Sequence, residues 1–463
     1  MKKIILGTGL MLMALHSHSQ TKASFSFSVK QAIEYAMQNQ NDIKNAVLDE
    51  KLAQRKVKEI TGAGLPQINA SFDLKDFVEI PTQVMPDFIS PTVYQINQYG
   101  FGLKPRAELP AGEGIPVQFG SKYQSSAGLD ASQMLFNSDF FLGLKASKVF
   151  TELSTKALQR SKIEVTASVS KAYYLVLIST ERAKLMDANI ARLKKTMDDT
   201  KALYDNGFAE KLDFDRLTVT YNNLLVEQEK INRLLNVGAY LLKYQMGMDV
   251  NADLTLTDKL EDVKFDIGTL AQSDKFDYTK RVEYGLMETN FTLAQLDLKR
   301  QRYSFLPFAF LYGSLSGNAY RNEFTVFDTY RPWYPTAVVG GTIKMPIFTG
   351  FQRGIKCQEA KISLEKAQNN MDFIKKSIDM DLAATSASLT NASSSLENQK
   401  KNIKLAEDVV SVSKKKYDQG VGSNLEMVTA ETTLKEAQTN YLNAMYEAII
   451  AKIDFDKANG NLK

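Results

Sequence analysis

Tyr204-Asp205-Asn206-Gly207 and Tyr417-Asp418-Gln419-Gly420 are two versions of one turn, set 213 residues apart. The same offset carries Leu212 onto Leu425 and Asp213 onto Glu426. Each glycine follows a long helix-forming stretch, where a left-handed cap ends a helix, and a new helical pattern begins within a few residues. Before the first turn, Met186, Ile190, Leu193, Met197, Thr200 and Tyr204 recur at spacings alternating between four and three. After it come Phe214, Leu217, Tyr221, Leu224, Gln228 and Ile231. Ile403, Ala406, Val410 and Ser413, then Leu434, Ala437, Tyr441 and Ala444, hold the matching places in the second version. A seven-residue pattern this long predicts left-handed coiled coils, so each half holds a hairpin of two long antiparallel helices.

The seams carry Ala, Thr, Ser and Gln where a two-stranded zipper carries Leu or Ile. Small residues suit helices packed side by side in a sheet or tube. An ordinary antiparallel bundle fits the periodicity equally well. From Thr349 to Tyr417 there is no proline, and glycine occurs only at Gly350 and Gly354. At ~1.5 Å per residue that stretch reaches roughly 100 Å as one helix.

Each hairpin is preceded by a strand region. A helix expected from Val29 to Thr61 runs into Gly62-Ala63-Gly64-Leu65-Pro66. Then Ile68, Ala70, Phe72 and Leu74 alternate with Asn69, Ser71, Asp73 and Lys75, the period of a strand with one apolar face. The first half gives strands at 65–79 and 118–136, the second at 306–322 and 334–348. Leu306-Pro307 parallels Leu65-Pro66, and Met345-Pro346-Ile347-Phe348 echoes Met134-Leu135-Phe136. Between the first two strands, Pro81, Pro86, Pro91, Pro105, Pro110 and Pro116 predict a long irregular loop. Four strands are too few to close a spanning barrel, whereas three chains would supply twelve. A small soluble sheet with one buried face reads the same alternation.

The first residues predict export. Lys2 and Lys3 precede an apolar stretch from Ile4 to Leu15, with Ser17 and Ser19 at the small positions of a cleavage site. This reads as a signal peptide over 1–19, released before Gln20; an uncleaved anchor is the alternative. Its removal takes away His16 and His18, the only histidines, and lowers the formal charge from +4 to +2. That balance argues against a nucleic-acid partner. The lone Cys357 forms no internal disulfide. Without histidine the commonest general base and metal ligand are missing, so neither an enzyme nor a metal or cofactor site is expected. No later apolar run has the length of a membrane-spanning helix, which leaves a soluble exported protein or a β-barrel.

Strand pair, long hairpin, strand pair, long hairpin, with shorter helices before each pair, resembles the TolC-type outer membrane efflux proteins. The Leu65-Pro66 and Leu306-Pro307 junctions, Gly143 and Gly354 beyond the strand ends, and the two Tyr-x-x-Gly turns carry the likeness across the mature chain. The resemblance implies a mainly α fold with a transmembrane β part. A homotrimer would form a twelve-stranded β-barrel in outer membrane lipid, continued by a helical coiled-coil tube in the periplasm. The repeats would span 20–247 and 248–463, with tips at 204–212 and 417–425.

It also implies an exit duct fed by a periplasmic adaptor (membrane fusion) protein and an inner-membrane transporter of RND or ABC type. Tyr204, Gly207, Leu212, Gly420 and Leu425 would meet the adaptor. Asp213, Glu426 and Tyr417 would sit at the periplasmic gate, the two acids as rings of like charge. First-turn acids favoured by the helix dipole are the plainer reading. Where the family's namesake has a gate-locking arginine this chain has Gly422, and where it has a further acid this chain has Thr429. The rival function is a soluble periplasmic coiled-coil adaptor or scaffold.

Overall fold

The computed structural model describes residues 24–85, 96–101, 115–260, 276–328 and 330–462. The expected signal peptide with His16 and His18 lies outside these residues, as do Pro86, Pro91, Pro105 and Pro110. The described residues fall into two compact units. One draws on Met1–Gln54, Val149–Leu293 and Leu364–Lys463, the other on Arg55–Lys148 and Ala294–Ser363.

The chain opens with β1 (Ser24–Phe27), α1 (Val29–Asn39) and α2 (Asn41–Gly62). A capping box starts α1: Ser28 accepts from the Gln31 backbone and Gln31 from the Ser28 backbone. The single helix expected over 29–61 is broken at Gln40, whose backbone turns extended. Its side-chain carbonyl accepts from the Ile43 N–H at 3.1 Å and so caps α2.

The strands follow as β2 (Gln67–Asp76), β3 (Thr82–Met85), β4 (Ile115–Gln118) and β5 (Tyr123–Phe136). Then come α3 (Ser138–Asp205) and α4 (Lys211–Met246), the first hairpin. The second half has β6 (Asp253–Leu256), α5 (Val282–Tyr303), β7 (Phe308–Arg321) and β8 (Tyr334–Lys344). The second hairpin is α6 (Gln352–Asp418) and α7 (Asn424–Ala458). No helix among the described residues is long and apolar enough to cross a membrane.

In the first unit, Met186 and Leu193 of α3 close on Leu217, Leu224 and Ile231 of α4. Ala406 and Val410 of α6 close on Ala430, Leu434 and Ala437 of α7. Each fully buried leucine there is worth about 1.5–3 kcal/mol. The hairpins are cross-linked to each other. Asn189 donates to Gln438 at 2.9 Å, and Lys435 pairs with Glu227 at 2.8 Å. Near the chain start, β1 lies parallel to β6, from Ser24 beside Asp253 to Phe27 beside Leu256. Ala32, Ala36, Val169, Tyr173, Leu242 and Met246 form the core beneath them. Gly247 ends α4 in the left-handed region at φ 67°, and a Cβ there would lie 2.7 Å from the Asn39 carbonyl oxygen. Only glycine meets both conditions.

The second unit holds a four-stranded antiparallel sheet in the order β2-β5-β7-β8. Its register places Ala70 beside Leu129, Leu129 beside Leu315, and Leu315 beside Ala337. One face therefore collects Ile68, Phe72, Leu129, Leu315, Val339 and Ile343. The opposite face collects Asn69, Asp73, Asp130, Ser314, Ser316 and Thr342. The apolar face is bare: Ile68 is 69%, Ile343 78% and Val339 89% exposed. The strand expected over 334–348 stops at Lys344, and Met345 to Phe348 leave the sheet. The stretch read as irregular loop contains a short antiparallel pair, β3 with β4, in which Pro116 sits opposite Val84.

Candidate functional site

Both hairpin tips close by one backbone scheme. At the first, the Gly207 N–H donates to the Tyr204 carbonyl at 2.9 Å and the Phe208 N–H to the Leu203 carbonyl at 2.8 Å. At the second, Gly420 donates to Tyr417 at 2.9 Å and Val421 to Lys416 at 3.0 Å. Gly207 and Gly420 take φ of 79° and 76°, the left-handed cap that satisfies the last helix carbonyls. The following helices start differently. Ser423 caps α7 by accepting from the Glu426 N–H at 3.1 Å, while Glu210 makes no side-chain cap on α4.

Asp213 and Glu426 both stand in first turns, where a helix N-terminus favours a carboxylate. Each has a cation at hand: Arg216 lies 3.9 Å from Asp213, and Lys416 lies 3.2 Å from Glu426. The second pair joins the end of α6 to the start of α7. Both pairs are largely in solvent and contribute little to stability. Tyr417 is half-buried, and its hydroxyl shares a 2.9 Å hydrogen bond with that of Thr200 on α3. Asn424 is 5% exposed and donates to the Asp213 carbonyl at 3.0 Å. The two tips are thus tied together twice, once by Tyr417 and once by Asn424.

Tyr204, Leu212 and Leu425 are exposed, and Phe208 and Val421, at matching places in the two turns, are 81% and 77% exposed. Each tip therefore presents bare apolar side chains, the usual mark of a protein contact. Gly422 has no room for a side chain, since a Cβ would lie 2.9 Å from the Tyr417 backbone nitrogen. The Thr429 hydroxyl is turned back onto the Leu425 carbonyl at 2.7 Å. The sequence reading did not single out Asn424, and it placed Thr200 only in the helix seam. The Ser423-x-x-Glu426 cap was legible as a motif. No group of residues suited to a metal occurs among the described residues.

The model of the outer membrane efflux protein family matches residues 291–461. The outer membrane protein TolC of Vibrio cholerae is 20% identical over 368 residues, which cover 78% of this chain and 83% of TolC. The chain is thus similar to the outer membrane efflux proteins. Another relative, the alkaline protease secretion protein AprF of Pseudomonas aeruginosa, is 21% identical, over 70% of this chain and 67% of AprF. Among solved structures CusC superposes with a TM-score of 0.72 at 15% identity, covering 96% of this chain and 95% of CusC. The fold of CusC thus extends across nearly the whole chain, including the first half that the family model does not match.

Proposed function

We propose that this chain is the outer membrane exit duct of a tripartite efflux or type I secretion system. It conducts substrates passively from an inner-membrane pump and its periplasmic adaptor to the outside. The β2-β5-β7-β8 sheet carries the reading. Its apolar face is uncovered and its outer strands, β2 and β8, are unpaired among the described residues. A sheet in lipid must leave no open edge. Pairing β8 of one copy with β2 of the next closes twelve strands in a trimer, apolar outside and polar within.

In this reading 20–247 and 248–463 are two repeats, and their hairpins reach into the periplasm. The apolar tips around Phe208 and Val421 receive the adaptor, and Asp213, Glu426 and Tyr417 form the entrance. Arg216 and Lys416 partly offset the acidic rings, so this entrance repels itself less than bare carboxylates would. AprF is named for protease secretion and the family for efflux, and either cargo suits a passive duct.

The test is the mass of the protein extracted from outer membranes in mild detergent. A species near three times the mature chain mass is expected. A monomer that stays in water without detergent overturns the duct and leaves the soluble coiled-coil scaffold.

A further inference from the structure

Where α2, α3, α5 and α6 join the sheet, its apolar face gives way to exposed large side chains, among them Leu65, Phe141, Phe305 and Phe348. Phe351 adds to them from an unusual backbone, at φ 63°, with its ring 5.5 Å from that of Phe348. A left-handed phenylalanine costs about 1–2 kcal/mol, so its place at this rim is not the chain's resting preference.

Within the next turns each of the four helices carries cations. On α3, Phe141, Lys145 and Lys148 fall on one face at helical spacing. Arg55 and Lys58 lie near the end of α2, Arg302 in the last turn of α5, and Arg353 and Lys356 at the start of α6. Among the described residues none of these seven has a carboxylate within ion-pair distance, whereas Lys56 and Arg300 are taken by Glu59 and Asp297. Lys299 lies over the Tyr303 ring at 5.5 Å. At the opposite end of the sheet Lys122 lies over the Tyr123 ring at 5.3 Å. There Arg331 is paired with Glu323 and Asp328, and Arg321 is spent on the carbonyls of Tyr320 and Pro332.

Apolar, then aromatic, then cationic is the order of a bilayer from hydrocarbon to headgroup, and long Lys and Arg stems span the last step. We infer that this collar binds the phosphates of anionic phospholipids in the periplasm-facing leaflet, in preference to zwitterionic ones. The inference rests on the duct reading, which sets the helices on the periplasmic side. Its lipid-facing continuity with the sheet and its unpaired charge both favour a headgroup surface.

The test uses the full mature protein in phosphatidylcholine bilayers carrying spin-labelled phosphatidylglycerol or spin-labelled phosphatidylcholine. Their relative association with the protein is read by electron paramagnetic resonance. A preference of about fivefold for phosphatidylglycerol is expected, falling towards one in about 1 M salt. Replacing Lys58, Lys148, Arg302 and Lys356 together by Gln removes the preference. Replacing Lys195, Lys400, Lys404 and Lys414 by Gln, far along the hairpins, keeps it. Should the first variant not fold, the salt dependence of the unaltered protein decides. Equal association of both lipids, or a preference that survives salt, overturns the inference while leaving an inserted protein as a duct. A chain that does not enter the bilayer overturns both.

Discussion

Asn424 gives its side-chain N–H to the backbone carbonyl of Asp213 across 3.0 Å, so a residue opening α7 holds the first turn of α4. Asn424 is buried, and its side-chain oxygen has no partner among the described residues. Replacing Asn424 by Ala removes one hydrogen bond and one unsatisfied acceptor together. The net loss of tie is therefore at the low end, about 1 kcal/mol, or roughly fivefold in the balance between joined and parted tips. Single-channel recording in planar bilayers should show Asn424→Ala opening more often than the unaltered chain. An unchanged record would mean that the two tips part without this bond being broken.

The second tie is independent of the first. Tyr417 and Thr200 share one hydroxyl–hydroxyl bond at 2.9 Å, and Thr200 is fully buried. Tyr417→Phe and Thr200→Val each leave one partner unmatched, whereas the double variant leaves none. Denaturant unfolding of the four proteins should give a coupling of about 0.5–1.5 kcal/mol. Strict additivity would show that the bond adds nothing to the fold.

The bare face of the sheet makes a sharper demand. Val339 and Thr342 both lie on β8 but on opposite faces, and Val339 is 89% exposed. If that face meets lipid, Val339→Lys costs about 2–4 kcal/mol when the protein folds into vesicles, while Thr342→Lys costs little. The opposite ranking would put the lumen where the lipid is placed here.

Much of this was legible because the signals are local and periodic. Gly207 and Gly420 marked both turns, Leu193, Leu217 and Val410 lay in the seams as spaced, and the alternation from Ile68 to Leu74 gave the apolar face. The break at Gln40 was not legible because the core pattern runs through it. Ala36 and Ile43, seven residues apart, are both buried as they would be in one unbroken helix. The pairing of β1 with β6 joins two strands of four residues from opposite halves of the chain, and nothing near either names the other. The ties at Thr200 and Asn424 escaped for a related reason. Periodicity names the face a residue occupies, but not which of two neighbouring hairpins will face it.

Arg281 offers the last test, away from the tips. It is 8% exposed and gathers Glu283 at 3.0 Å, Asp381 at 2.9 Å and the Ala458 carbonyl at 2.9 Å. It thereby joins the start of α5 to α6 and to the last turn of α7. Burial alone would raise the pKa of Glu283, but the Arg281 hydrogen bond, its own backbone N–H and the nearby positive charge hold it below the ordinary value. Because the folded value is the lower one, the pair stabilises the fold above the unfolded carboxylate pKa of about 4.3, and that stability is lost as pH falls through the folded value. Thermal melts of the unaltered protein should therefore fall below about pH 4.5. Arg281→Met removes the cation from two carboxylates and a carbonyl. With Asp381 partly in solvent, the cost should be about 2–4 kcal/mol at neutral pH. The same variant should show a flatter acid limb, since Glu283 then keeps only its backbone N–H and the charge of Lys457 to lose. An equally steep limb would place the acid sensitivity at other carboxylates.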